Sequence, residues 1–157
     1  MARRDFDVDF VDLAELDLPL LTEPHLPRLR KYTQASTIAW SERVAAADVF
    51  IFVAPEYNHS FSPALGNALD HLRREWRRKA FSFVSYGGVS AGTRGAGALL
   101  PITTSLALVR TAATVEIPFI GSRITDGAFV TTGKEEETLG RVLDELGLLP
   151  EALRPLR

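Results

Sequence analysis

Two short loops in this chain carry residue types suited to holding a flat, polar-edged ligand. Pro55-Glu56-Tyr57-Asn58-His59-Ser60 follows one apolar run and leads to Pro63, while Ser85-Tyr86-Gly87-Gly88-Val89-Ser90-Ala91-Gly92 leaves a second apolar run. The first loop sets backbone amides and an aromatic ring at the start of a helix, where unpaired N–H groups and positive potential concentrate. Those amides are suited to meet ring carbonyl and nitrogen atoms. In the second loop Gly87, Gly88 and Gly92 allow close backbone approach and positive φ, and Tyr86 can lie alongside an aromatic system. Either loop alone reads as an ordinary turn shaped by Pro, Asn and Gly. Together, one βα unit apart, they bring two adjacent strand ends to one crevice.

Other chemistries fit the chain less well. His25 sits in a proline-rich stretch, His71 follows Asp70 on a helix, and only His59 lies in a loop of interest. His59, Ser60 and Asp70 could be drawn as a hydrolase constellation, but Ser60 lacks the Gly-x-Ser-x-Gly elbow that exposes a nucleophile. His59 and His71 are far from i,i+4 spacing and the chain has no cysteine, so no metal set is indicated. The basic run Arg73-Arg74-Glu75-Trp76-Arg77-Arg78-Lys79 reads as a solvated helix end with cations near its C-terminus. No catalytic acid, base or nucleophile is assigned.

The elements that must position the two loops alternate between strand and helix. Phe6 to Leu13 alternates apolar and acidic residues with period two, as a half-exposed or edge strand does. Leu18 to Pro27 holds three prolines and reads as an irregular connection. A helix is expected from Thr33 to Ala47, then a doubly buried strand from Asp48 to Pro55. Pro63 suits a first helical turn with Ser62 as N-cap, and Leu65, Leu69, Leu72 and Trp76 recur at helical spacing. A strand over Ala80 to Ser85 enters the second loop. A helix follows from Thr93 to Leu108, with Pro101 a kink or displaced start. Ala112 to Ile117 is a third core strand, Gly121 to Gly133 a hairpin or irregular connection, and Lys134 to Leu146 a charged surface helix.

This order is the βαβ signature of an open parallel sheet with helices on both faces, which binds ligands beyond the carboxyl ends of its strands. Both loops sit at such ends. At 157 residues and 46% hydrophobic, the chain has material for one core, and residues 1–157 are read as a single domain. The formal charge of −2 gives no basic field for nucleic acid or acidic membranes. The absence of cysteine excludes disulfides and thiol catalysis and agrees with a cytoplasmic location. No apolar stretch approaches the length of a spanning helix.

Pro55-Glu56-Tyr57-Asn58-His59-Ser60, followed by Pro63, Leu65 and Asn67-Ala68-Leu69-Asp70, resembles the flavin-binding signature of the NADPH-dependent FMN reductases. The likeness continues through Ser85 to Gly92 and Arg94 and covers roughly Phe6 to Phe119. The resemblance implies a flavodoxin-like α/β fold, a three-layer open parallel sheet with helices on both faces. It also implies FMN as cofactor and NADPH or NADH as hydride donor. The acceptor would be a small molecule such as a flavin, a quinone, an azo compound or a metal oxyanion. Carried over by position, Pro55, Glu56, Tyr57 and Asn58 contact the isoalloxazine, and Ser85, Tyr86, Gly87, Gly88 and Ser90 support its other edge. A homodimer or tetramer is implied as well.

The departure is at the start. Members of that family open with a strand, a Gly-Ser-x-Arg-like phosphate loop and a first helix, about 30 residues by the size of a βα unit. Here Met1 to Asp5 align with the tail of that helix, so the domain is expected to lack its usual first strand and helix. In a flavodoxin-like order 2-1-3-4-5 the absent strand lies between the Phe6 segment and the Val49 strand, leaving two inner edges unpaired. The rival expectation is therefore a flavin-less remnant or interaction module of the same fold.

Overall fold

Seven residues, Val49–Pro55, form strand β1, whose alternate side chains face opposite ways. Phe50, Phe52 and Ala54 turn to one face, where Phe50 meets Trp76 at 4.9 Å between ring centroids and Phe52 meets Phe81 at 5.4 Å. Strand β2, Ala80–Tyr86, pairs with β1 in parallel along its whole length, from Val49 opposite Ala80 to Pro55 opposite Tyr86. The two loops of interest therefore leave the sheet side by side. The computed structural model describes residues 6–156.

Helices cover both faces of this sheet. On one side α2 (Ala35–Ala46), α3 (Pro63–Asp70) and α4 (Thr93–Ser105) bury Trp40, Val44, Leu65, Leu69 and Leu99 against the phenylalanines. Burying each such side chain stabilises the fold by about 1.5–3 kcal/mol. On the other side α5 (Gly133–Leu153) lays the fully buried Val142 and Leu146 on Ala80, Val115 and Ile117. The parallel α/β class expected from the sequence is the one observed. No helix among the described residues is long and apolar enough to cross a membrane.

Several elements differ from their sequence expectation. Phe6 to Leu13 is not a strand: residues 6–12 have no regular structure, and the short helix α1 covers Leu13–Leu16 with Asp12 as its cap. A strand needs a ladder partner, and no described strand lies beside this segment. Val8 and Phe10 stand 73% and 78% exposed, and the segment is tied to α2 through Asp9 and Arg43. The outer edge of β1 likewise has no strand partner among the described residues, and Val53 is 57% exposed. The alignment of Met1 to Asp5 with a helix tail lies outside the described residues.

The third strand is split. β3, Val109–Arg110, pairs with Ala80 and Phe81, and β4, Val115–Ile117, pairs with Val84 to Tyr86. After Thr111, whose amide still donates to the Phe81 carbonyl at 2.9 Å, residues 112–114 leave the ladder, and their backbone finds side-chain partners instead. Glu145 of α5 accepts the Ala112 and Ala113 amides at 2.6 and 3.1 Å, and Ser82 and Thr111 hydroxyls donate to the Ala113 carbonyl. The connection after β4 contains a hairpin of β5 (Ile124–Thr125) and β6 (Ala128–Phe129) around Asp126-Gly127, both at positive φ. Asp-Gly suits that tight turn.

The basic run after α3 is not a helix end. α3 stops at Asp70, and turns carry Leu72 and Trp76 into the core. Glu75 is buried, accepting from the Tyr32 and Ser41 hydroxyls and pairing with Arg30 at 3.0 Å. Lys79 is buried too, with Nζ donating to the Val44 and Ala45 carbonyls at 2.7 and 2.8 Å. It caps the C-terminus of α2, a neighbouring helix, where a cation is favoured. Burial of their aliphatic stems overrides the charge pattern that read as a solvated surface.

Candidate functional site

β1 ends in a hairpin turn before α3 begins. Tyr57 and Ser60 exchange both backbone hydrogen bonds, at 2.9 and 2.8 Å, while Asn58 and His59 take φ of 49° and 64°. This is type I′ geometry, which Asn tolerates better than most residues. The turn projects Tyr57, Asn58 and His59 from the rim, all exposed.

β2 ends in the glycine loop. Gly87 donates to the Ile117 carbonyl at 3.2 Å, and the amides of Phe119 and Ile120 return bonds of 3.0 Å to Gly88 and Gly87. Gly92 has φ of 79°, and a Cβ there would stand 2.6 Å from the Tyr86 backbone nitrogen and oxygen. Only glycine fits. Space over Gly88 is open, with nothing within 4 Å of a Cβ built there.

The two loops are joined to each other. The Glu56 amide donates to the Tyr86 carbonyl at 3.2 Å, the Ser90 hydroxyl donates to the Glu56 carboxylate at 2.7 Å, and Arg94 Nε lies 3.1 Å from its other oxygen. The Ser90 hydroxyl bond holds the Glu56 carboxyl below the usual carboxylate range, and the Arg94 charge adds to it against the opposing cost of burial.

Many rim amides are thus consumed within the fold, including those of Glu56, Tyr57, Ser60, Gly87 and Ala91. The amides of Asn58, His59, Gly88, Val89 and Ser90 make no hydrogen bond to another described residue. These exposed donors, the open surface over Gly88, the exposed Tyr57 and the half-buried Tyr86 suit the edge and face of an isoalloxazine ring. The residues present fit the ring half of FMN. The described residues include no counterpart of the Gly-Ser-x-Arg phosphate loop.

The residues singled out from the sequence divide accordingly. Pro55, Glu56, Tyr57, Asn58, Tyr86, Gly87, Gly88 and Ser90 lie on one rim. Ser85 lies below it, 1% exposed on the same face of β2 as Phe81 and Phe83, its hydroxyl without a partner. Sequence reasoning missed the structural weight of Gly95, where a Cβ would stand 2.7 Å from the Ser60 carbonyl and 3.2 Å from that of Pro55. Arg94 entered only as part of a motif, although opposite charges in two converging loops signal its pairing with Glu56. Among the described residues no group of three or more His, Asp or Glu is placed to hold a metal ion.

An open parallel α/β sheet with two such loops at adjacent strand ends is the flavodoxin-like arrangement. A family model described as NADPH-dependent FMN reductase matches residues 1–119. The chain belongs to that family. It is 45% identical over 96 residues to an NAD(P)H-dependent FMN reductase of Schizosaccharomyces pombe, an alignment covering 59% of this chain and 48% of that protein. It is 30% identical over 161 residues to an NAD(P)H-dependent FMN reductase of a Nectria species, covering 90% and 79%. The chain thus spans about half the length of the first relative and about four-fifths of the second. Among solved structures, the flavoenzyme FerB of Paracoccus denitrificans, an NAD(P)H:(acceptor) oxidoreductase, superposes with a TM-score of 0.67. It covers 87% of this chain and 76% of that one at 21% identity, a likeness of fold.

Proposed function

We propose that this chain forms the ring-binding part of an NAD(P)H-dependent FMN reductase, taking hydride from NADPH or NADH and passing it to a flavin, quinone or similar small acceptor. The observation that carries this reading is the joining of the two loops into one rim through Glu56, Ser90 and Arg94, with unspent amides beside two tyrosines. FMN, when bound, would supply the two-electron chemistry. Asn58, Gly88 and Ser90 would hold the ring edge by backbone and side-chain donors, Tyr57 and Tyr86 would flank it, and Pro55 and Gly87 would shape the floor. No side-chain acid or base is invoked. Ser85 acts through packing beneath the rim.

Purified protein tests the reading directly. A yellow preparation, or one that quenches added FMN fluorescence and then oxidises NADPH, supports it. Colourless protein that leaves FMN fluorescence and NADPH unchanged overturns it for this chain.

A second reading is favoured by the outer edge of β1, which has no strand partner among the described residues, and by the exposed Val53. On it, the chain is a flavin-less interaction module, and binding of a partner strand without flavin uptake would establish it. We further infer a cytoplasmic homodimer or tetramer. The exposed Val89 and Phe119, neighbours through the Phe119 amide and Gly88 carbonyl, support a subunit contact, and sedimentation measures it.

A further inference from the structure

Helix α4 begins without a capping side chain of its own, because its N-cap is Gly92. Its first-turn amides lack intrahelical acceptors and need others. The Glu56 carboxylate from the opposite loop stands at that end of the helix. It receives the Ser90 hydroxyl at 2.7 Å and Arg94 Nε at 3.1 Å, and its side chain is 10% exposed. A carboxylate at a helix N-terminus is favoured by the helix dipole. The missing Cβ of Gly95 lets this turn press against the Pro55 and Ser60 carbonyls.

From the same turn the Arg94 guanidinium reaches over the first loop. Its Nη1 lies 2.5 Å from His59 Nε2. A guanidinium only donates, so His59 accepts at Nε2 and carries its proton on Nδ1. One arginine thus holds both ends of the Glu56 to His59 segment.

We propose that Glu56 and Arg94 are positioning residues, an interloop clamp that seats the Tyr57 to Ser60 turn on α4 and so sets the flavin-ring contacts made by its neighbours. This rests on the flavin reading above. It gives the Glu56 carboxylate a task away from the ring: Glu56 acts on ligand only through the turn it anchors.

The test compares Glu56→Gln, Arg94→Met, Arg94→Lys and the Glu56→Gln/Arg94→Met double variant with the unaltered chain, with unfolding midpoints recorded in parallel. Without flavin, amide hydrogen exchange at Arg94 and Gly95 rises about tenfold in Glu56→Gln and Arg94→Met, the scale of a lost hydrogen bond to a charged group. Nitrogen-15 shifts of His59 show the Nδ1–H tautomer in the unaltered chain and lose that bias in Arg94→Met. With FMN, both single variants weaken binding about equally, the double variant is no weaker than either, and Arg94→Lys recovers part of the loss, as for groups acting as one unit. Unchanged exchange and an unchanged His59 tautomer overturn the clamp. So does an FMN affinity lost in Glu56→Gln but kept in Arg94→Met, which would put the carboxylate on the ring. If the unaltered chain takes up no FMN while exchange and tautomer respond as stated, the flavin reading fails and the clamp stands.

Discussion

Gly95 faces the Ser60 carbonyl so closely that an added Cβ would stand 2.7 Å from that oxygen. The contact is backbone against a helix turn, so neither side can swing away as a flexible side chain would. Gly95→Ala therefore displaces the first loop or the start of α4. The expected cost is about 1–3 kcal/mol of stability, the range for overpacking a close contact. Thermal unfolding reads it. Gly97→Ala, on the same helix with open space around it, is the control and leaves the melting temperature unchanged or raised.

Asn58 occupies the first central position of the type I′ turn at φ of 49°. Asp tolerates that conformation nearly as well, so Asn58→Asp changes charge without breaking the turn. A negative charge beside the ring edge, together with loss of the amide donors, should weaken FMN binding about tenfold, the worth of a charge-affected hydrogen bond. Fluorescence quenching measures this. Equal affinity in the two proteins, at equal stability, would remove Asn58 from the site.

Glu75 fastens to the core the stretch that follows the short 3-10 helix Pro27–Leu29: its side chain is 1% exposed yet serves Arg30, Tyr32 and Ser41 together. Burial, with the Glu75 charge and the hydrogen bond to Glu75 beside it, opposes phenol ionisation and pushes the Tyr32 hydroxyl well above its ordinary range. Replacing Glu75 by Ala strands the buried Ser41 hydroxyl and the part-buried Tyr32 hydroxyl, while the half-exposed Arg30 guanidinium turns to water. The expected loss is about 1–3 kcal/mol, the cost of leaving such hydroxyls unsatisfied. Chemical denaturation gives the figure, and FMN affinity per folded molecule should not change, because the Glu75 carboxylate bonds Arg30, Tyr32, Ser41 and the Arg73 amide, and none of these belongs to either loop.

How much of this was legible in the sequence depends on what each residue type answers to. β1, β2, α2 and the start of α3 follow local pattern, because Phe50, Phe52, Phe81 and Phe83 have nowhere to go but a core. The pairing of the two loops follows from strand order alone. Lys79 and Glu75 do not, since their charges read as surface until Val44, Ala45, Tyr32 and Ser41 supply buried partners from distant segments. The Phe6 segment has a strand's alternation and lacks a strand's neighbour. The split of the third strand depends on Glu145, thirty-odd residues later, taking up the amides of Ala112 and Ala113. The ring rim is written in contiguous motifs, whereas its clamp joins Glu56 to Arg94 across a whole βα unit and is visible only once folded.

Acid should unfasten the start of α5 before it touches most of the core. Arg123 binds Glu135 at 3.0 Å, and that bond, with those from the Thr132 hydroxyl and amide, pulls the Glu135 carboxyl down to about 2. A carboxyl lowered in the folded state contributes stability above its unfolded value near 4.5 and loses it as pH falls toward about 2. The melting temperature should therefore decline over that window. Glu135→Gln lacks the charge at every pH, so it should melt lower than the unaltered chain at neutral pH and show a shallower acid decline. Circular dichroism melts from pH 7 down to pH 2 measure both slopes, and parallel curves for the two proteins would show that Glu135 does not carry the effect.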